Sequence, residues 1–188
     1  MKKSILTILI VGLFALCAQA TPAPDFSLIP SSGLVNGSPG TTVGWGFTVT
    51  NNDSSDWLVL NDSYFTGSNT LGSELQLGYT DFIATQFVVI DPGATISQSY
   101  DALLQSGVGS VQIPSYAIPG DTGTGNVFLD YTLFSQDPND PAFDPGSFVD
   151  AGTVGASASV FVPEPSSALM LLGAAPLLIG TVRRKLWR

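Results

Sequence analysis

The sequence predicts an all-β protein: one antiparallel β-sandwich, flanked by an N-terminal signal helix and a C-terminal transmembrane helix. Three observations carry this. Between Thr21 and Val162, apolar residues recur at every second position in short runs, the spacing of half-buried strands. The runs are separated by clusters of Gly, Pro, Asn and Asp, the residues that turns require. No window of ten residues in this stretch shows convincing helical periodicity. With the apolar ends of the 188-residue chain set aside, about 140 residues remain, enough for one core.

Residues 1–20 have the three parts of a secretory signal: Lys2 and Lys3, an apolar stretch over 5–16, and Ala18-Gln19-Ala20. Ala18 and Ala20 put small side chains at the two positions that a signal peptidase pocket must accommodate, so cleavage is expected after Ala20. The single cysteine, Cys17, falls inside the removed segment. Leu16 precedes it where a lipoprotein signal wants a small residue, so the mature chain is expected to have neither a disulfide nor thiol chemistry.

Strands are expected over 26–29, 41–50, 57–61, 82–90, 94–100, 109–113, 126–135 and 155–162, within one domain spanning 21–162. The clearest is 41–50, where Val43, Trp45, Phe47 and Val49 fall on one face and Thr42, Gly44, Gly46, Thr48 and Thr50 on the other. Asp91-Pro92-Gly93 is a turn: Pro presets one central dihedral and Gly accepts the positive φ of the other. Seven or eight short strands divided by turn clusters point to an antiparallel sandwich rather than a parallel sheet. The run Pro39-Gly40-Thr41-Thr42-Val43, leading into Phe47-Thr48-Val49-Thr50-Asn51, resembles the strand-plus-Asn pattern of immunoglobulin-like domains in bacterial surface proteins. A jelly roll suits the strand count equally.

Charge is distributed unevenly. All six basic residues (Lys2, Lys3, Arg183, Arg184, Lys185 and Arg188) lie at the two ends, whereas 21–162 holds fourteen acids, thirteen Asp and Glu74, and no Lys, Arg or His. Such a surface repels phosphate backbones, which excludes nucleic-acid binding through a basic patch. The domain forms no ion pairs of its own, so its carboxylates are solvated, bonded to backbone N–H groups, or bound to metal.

Catalysis has few tools in such a domain. Without His, Lys or a mature Cys, only carboxylates remain, and nothing singles out a glycosidase pair. Asp121-Thr122-Gly123 has the letters of an aspartic protease loop, but it follows Ile118-Pro119-Gly120 rather than an apolar strand and has no second copy, so it reads as a turn. The chain is therefore expected not to be an enzyme and to need no cofactor. The one feature with metal-ligating chemistry is the loop 137–146, where Asp137, Asp140 and Asp144 sit on backbone stiffened by Pro138, Pro141 and Pro145. These carboxylates are hard ligands for Ca²⁺, although their spacing matches no calcium loop and Asp-Pro repeats are ordinary turn chemistry. The run Asn51-Asn52-Asp53-Ser54-Ser55-Asp56 presents the same two readings. Trp45, Trp57, Tyr64, Tyr79, Tyr100 and Tyr131 are the aromatic residues from which a sugar-stacking platform would be drawn, with Trp45 assigned to the core by its face.

At the C-terminus, residues 166–182 form a run of seventeen uncharged, mostly apolar residues, at the short limit for spanning a ~30 Å hydrocarbon layer. Arg183, Arg184 and Lys185 follow and hold the tail in the cytoplasm, so the acidic domain is exported. Before the run stands Pro163-Glu164-Pro165, whose prolines keep the backbone extended and outside the helix. This order of Pro-Glu-Pro, short apolar helix and basic cluster resembles the PEP-CTERM sorting signal of Gram-negative bacteria, over residues 163–188.

The resemblance implies that Pro163, Glu164 and Pro165 are read by an exosortase, that 166–182 is the anchor, and that Arg183, Arg184 and Lys185 retain it. It also implies a route from the inner membrane to the cell surface or medium. The expected function is that of a processed surface or extracellular-matrix protein with a structural or adhesive role, linked to extracellular polysaccharide or biofilm. A carbohydrate- or calcium-binding module is the alternative, with a carboxylate-dependent glycosidase behind it.

Overall fold

A computed structural model describes residues 22–164. The expected signal peptide with Ala18 and Ala20, the apolar run 166–182, Pro165 and the basic residues Arg183, Arg184 and Lys185 lie outside the described residues.

Among the described residues, ten strands form two five-stranded sheets. The first contains β1 (Asp25–Ile29), β3 (Thr42–Thr50), β5 (Tyr79–Asp81), β7 (Thr95–Gln98) and β8 (Gly109–Gln112). Here β1 pairs with one edge of β3, β7 and β8 share its other edge, and β5 follows β8. The second sheet runs β2 (Leu34–Asn36), β10 (Phe148–Phe161), β9 (Thr122–Phe134), β4 (Trp57–Gly67), β6 (Val88–Ile90). Every pairing is antiparallel except the short β2–β10 contact.

The core lies between the sheets. Leu28, Trp45, Phe47 and Val49 of the first sheet face Leu58, Leu60, Phe65, Val127, Leu129, Leu133 and Val160 of the second, all buried. Alternation on β3 is as expected from the sequence: Trp45, Phe47 and Val49 have no exposed surface. The Asp91 turn is likewise as expected. Gly93 has φ +68° and Ala94 N–H donates to the Asp91 carbonyl at 3.0 Å, the geometry of a type II turn.

Several expected elements are corrected. A helix is present, α1 (Thr70–Leu77), where none was expected. Its first turn is held by Asn69, whose Oδ1 accepts the Gly72 N–H at 2.6 Å and whose Nδ2 donates to Thr124 Oγ1 at 2.7 Å. It docks on small residues: a Cβ on Gly67 would lie 2.1 Å from the Gly72 backbone, and one on Gly123 would lie 2.3 Å from Leu75. The expected strand 82–90 is split, with a 3-10 turn over Ile83–Thr85 ahead of β6. Asp81 causes the split, because its carboxylate accepts the N–H groups of Ile83 at 2.8 Å and Ala84 at 3.3 Å. Strands β2 and β5 were not expected, and β4, β9 and β10 are longer than expected.

Candidate functional site

The sorting junction begins inside the sandwich. Val162 is fully buried; its N–H donates to the Asp121 carbonyl at 2.9 Å, and its own carbonyl accepts the Gly120 N–H at 2.8 Å. The turn that holds it is closed by Asp121, whose N–H donates to the Ile118 carbonyl at 3.0 Å and whose carboxylate accepts the Ile118 N–H at 2.8 Å. The turn thus ends at Asp121, while Thr122 and Gly123, expected from the sequence to belong to a turn with it, already lie in β9. Pro163 and Glu164 follow at once and are exposed. The backbone therefore passes from its last cross-strand bonds directly into the Pro-Glu-Pro motif.

The Asp-rich loop is three turns in series. Asp137, Asp140 and Asp144 each accept, at 2.8 Å, the N–H of the residue two positions on: Asn139, Ala142 and Gly146. This is the local bonding that makes Asp a turn residue. Phe143 anchors the loop edge-on against Phe134, ring centroids 5.1 Å apart. The three carboxylates are not brought together, and among the described residues no group of three or more His, Cys, Asp or Glu side chains is placed to hold a metal ion. A millimolar chelator is therefore expected to leave the melting temperature of the chain unchanged, and a drop would restore calcium to this loop.

The run 51–56 is a structural plug. Asn51 is 1 % exposed, with Nδ2 at 2.7 Å from the Asp56 carbonyl, 3.2 Å from that of Asp91 and 3.3 Å from that of Ile90. Its Oδ1 accepts the Asp53 N–H at 3.1 Å. Asp53 in turn accepts the Ser55 N–H and hydroxyl and the Asp56 N–H. The result ties the β3–β4 loop to the turn between β6 and β7.

A second polar knot crosses between the sheets. Ser63 Oγ, on β4, lies 2.8 Å from the Tyr79 hydroxyl, 2.6 Å from Asp81 Oδ1 and 2.7 Å from the Val108 carbonyl. Burial raises the Tyr79 hydroxyl above the ordinary tyrosine range. The serine sits beside a carboxylate but beside no imidazole or amine that would activate it, so the geometry is that of a satisfied internal network.

The aromatic candidates separate by position. Trp45 and Tyr131 belong to the core. Tyr79 is in the Ser63 knot, and Tyr100 lies against Gly44 and stacks with Phe82, 6.3 Å between centroids. Trp57 is half-buried beside the Asp loop. Tyr64 is exposed on the outer face of the second sheet, paired with Phe128, a residue the sequence reading had not singled out.

On that face Asp62 of β4 stands directly opposite Asp130 of β9. Burial, then Asp130 and Asp81, raise the Asp62 carboxyl above its ordinary value of 3.8. Asp53 is the converse, lowered chiefly by the Ser55 N–H, then by the Ser55 hydroxyl. The two act in different pH ranges. A raised folded-state value means that the fold disfavours the charged form, so protonating Asp62 stabilises the protein as pH falls through its folded-state value toward 3.8. A lowered value means that the contribution of Asp53 is complete above 3.8 and is lost as pH falls through its folded-state value. The melting temperature should rise on acidification and turn over in stronger acid; Asp62→Asn should reduce the rise, the remainder coming from Asp56, which burial and then Asp53 raise in the same way. A steady fall from pH 7 downward would contradict this reading.

Residues 161–185 match the family model of the PEP-CTERM protein-sorting motif. No curated protein matches the chain. Among solved structures, the chain is similar to the ASH/PapD-like domain 7 of human CEP192, at TM-score 0.36 and 12% identity over 76% of this chain and 86% of that one. It is also similar to a chain of the CaDoc0917–CaCohA2 complex, at TM-score 0.27 and 19% identity over 74% of this chain and 99% of that one. Among the described residues, no helix is long and apolar enough to cross a membrane.

Proposed function

We propose that this PEP-CTERM sorting-signal protein, exported and processed by an exosortase, is a non-enzymatic component of the cell surface or extracellular matrix whose work is structural or adhesive. The signal peptidase removes residues 1–20, the tail holds the domain outside the inner membrane, and processing at the motif sends it to the surface or the medium.

The observation that supports this reading is the junction at Val162. The last strand is bonded up to the residue before Pro163, and the apolar run starts at Ser166. Three residues can span at most about 10 Å, so on this reading the sandwich is held close to the membrane before processing. Between the signal peptide and the sorting motif the sandwich is the only cargo. Its chemistry of carboxylates, hydroxyls and aromatic rings suits binding and scaffolding.

Replacing residues 22–162 by an unrelated exported sandwich, with both end signals retained, tests the role of the domain. Sorting should persist while retention of cells in the matrix falls. Equal retention by the two chains would contradict an adhesive or structural role.

A further inference from the structure

The outer face of the second sheet carries an aromatic pair that the core does not use. Tyr64 and Phe128 are in register across β4 and β9, and their rings stack 5.2 Å apart at 23°. Tyr64 is 42% exposed. The Phe128 ring lies over Gly155 of β10, where a Cβ would come within 2.8 Å of it, so the glycine allows the ring to lie against the sheet.

Polar rungs flank this pair, at the ~7 Å spacing of alternate residues on a strand. On one side are Asp62 and Asp130, with Thr153 of β10 donating to Asp130. On the other are Thr66, Asn126 and Ser157, continuing into a groove lined by Ser32, Ser68, Thr124 and Ser159.

Charge selects among partners for this face. No Lys, Arg or His exists between 21 and 162 to neutralise Asp62 and Asp130, so a polyanion is repelled. A protein interface centred here would bury carboxylates where interface cores are depleted of charge. A pyranose chain meets both demands: its C–H face stacks on aromatic rings, and its hydroxyls donate to carboxylates in charge-assisted hydrogen bonds.

We propose that this face binds a neutral polysaccharide, with a pyranose ring seated on Tyr64 and Phe128 and its hydroxyls bonded to Asp62 and Asp130. The inference rests on the surface reading above only for where such a polymer is met.

The test is affinity electrophoresis of the full chain without its signal peptide, in detergent micelles, through gels containing hydroxyethyl cellulose, a galactomannan or the polyanion alginate. At least one neutral polymer should retard the chain and alginate should not. Tyr64→Ala should weaken retardation by about tenfold or more, while Tyr64→Phe keeps it. Asp62→Asn should weaken it severalfold without lowering the melting temperature, which separates lost binding from lost folding. Equal retardation of wild type and Tyr64→Ala, or none by either neutral polymer, would overturn the proposal. A dimer in sedimentation that Tyr64→Ala dissolves would also overturn it, by assigning the face to a second copy of the chain. Trimming of the same chains in a host with an active exosortase is followed separately, so failure here leaves the sorting reading intact.

Discussion

Trp45→Ala should lower the stability of the sandwich by about 3–5 kcal/mol, the usual cost of truncating a large buried aromatic residue, and that is a large share of a typical domain's total. Two connections meet at this buried side chain. It has no exposed surface, and its ring stacks nearly parallel on Phe65 of the opposite sheet, 6.0 Å between centroids and 7° between planes. Its indole N–H donates at 2.7 Å to the carbonyl of Gly33, in the turn between β1 and β2. Trp45→Phe keeps most of the ring but loses the indole hydrogen bond and part of the buried surface, while the Gly33 carbonyl still accepts the Ser159 N–H at 2.9 Å, so an intermediate loss of about 1–3 kcal/mol is expected. Urea unfolding should show a lower midpoint at unchanged slope for both variants, with alanine the worse. A wild-type midpoint for Trp45→Ala would remove the residue from its place at the centre of the core.

The sequence made this residue legible because β3 alternates without interruption from Val43 to Val49. Where the alternation slips, legibility fails. On β4, Leu58 and Leu60 face inward, but the register shifts between Leu60 and Asp62, and beyond that bulge Ser63 and Phe65 face inward instead. A bulge inserts one residue and reverses which parity is buried. The expected strand therefore stopped at Asn61, and the phase of Leu58 and Leu60 would have put Tyr64 inside.

The glycines of β9 and β10 misled in a different way. Thr122-Gly123-Thr124-Gly125 and Asp150-Ala151-Gly152-Thr153 have the composition of turns, yet they lie within strands. Gly123 makes room for Leu75 of α1, and Gly152 for the ring of Tyr131 on the adjacent strand. These are contacts between distant parts of the chain, so no local pattern announces them. Helix α1 was hidden by its eight-residue length and by Gly72 and Ser73 within it, although Asn69 is a good capping residue and marked its start. The Asp loop was legible only as composition, and the fold adds that each carboxylate accepts a backbone N–H of its own turn.

The sorting signal was the most legible feature of all, because its parts follow one another along the chain and need no tertiary contact. Its pieces should fail separately. Removing Arg183, Arg184, Lys185 and Arg188 takes away the charges proposed to fix the tail in the cytoplasm, so on this reading the chain should lose its orientation or slip through the membrane. Replacing Pro163, Glu164 and Pro165 by alanine leaves the apolar run and its basic flank untouched, so insertion should be normal. Processing should nevertheless stop, because alanine removes the proline-restricted motif that the exosortase is proposed to read.

The most direct measurement is the intact mass of the chain recovered from membrane and extracellular fractions of an exosortase-competent host, compared with the same host lacking that enzyme. The account predicts a shortened, released form from the competent host, and a full-length, membrane-held form both from the deficient host and from the Pro163, Glu164 and Pro165 variant. Normal shortening and release of that variant, or of the wild-type chain without the enzyme, would contradict it.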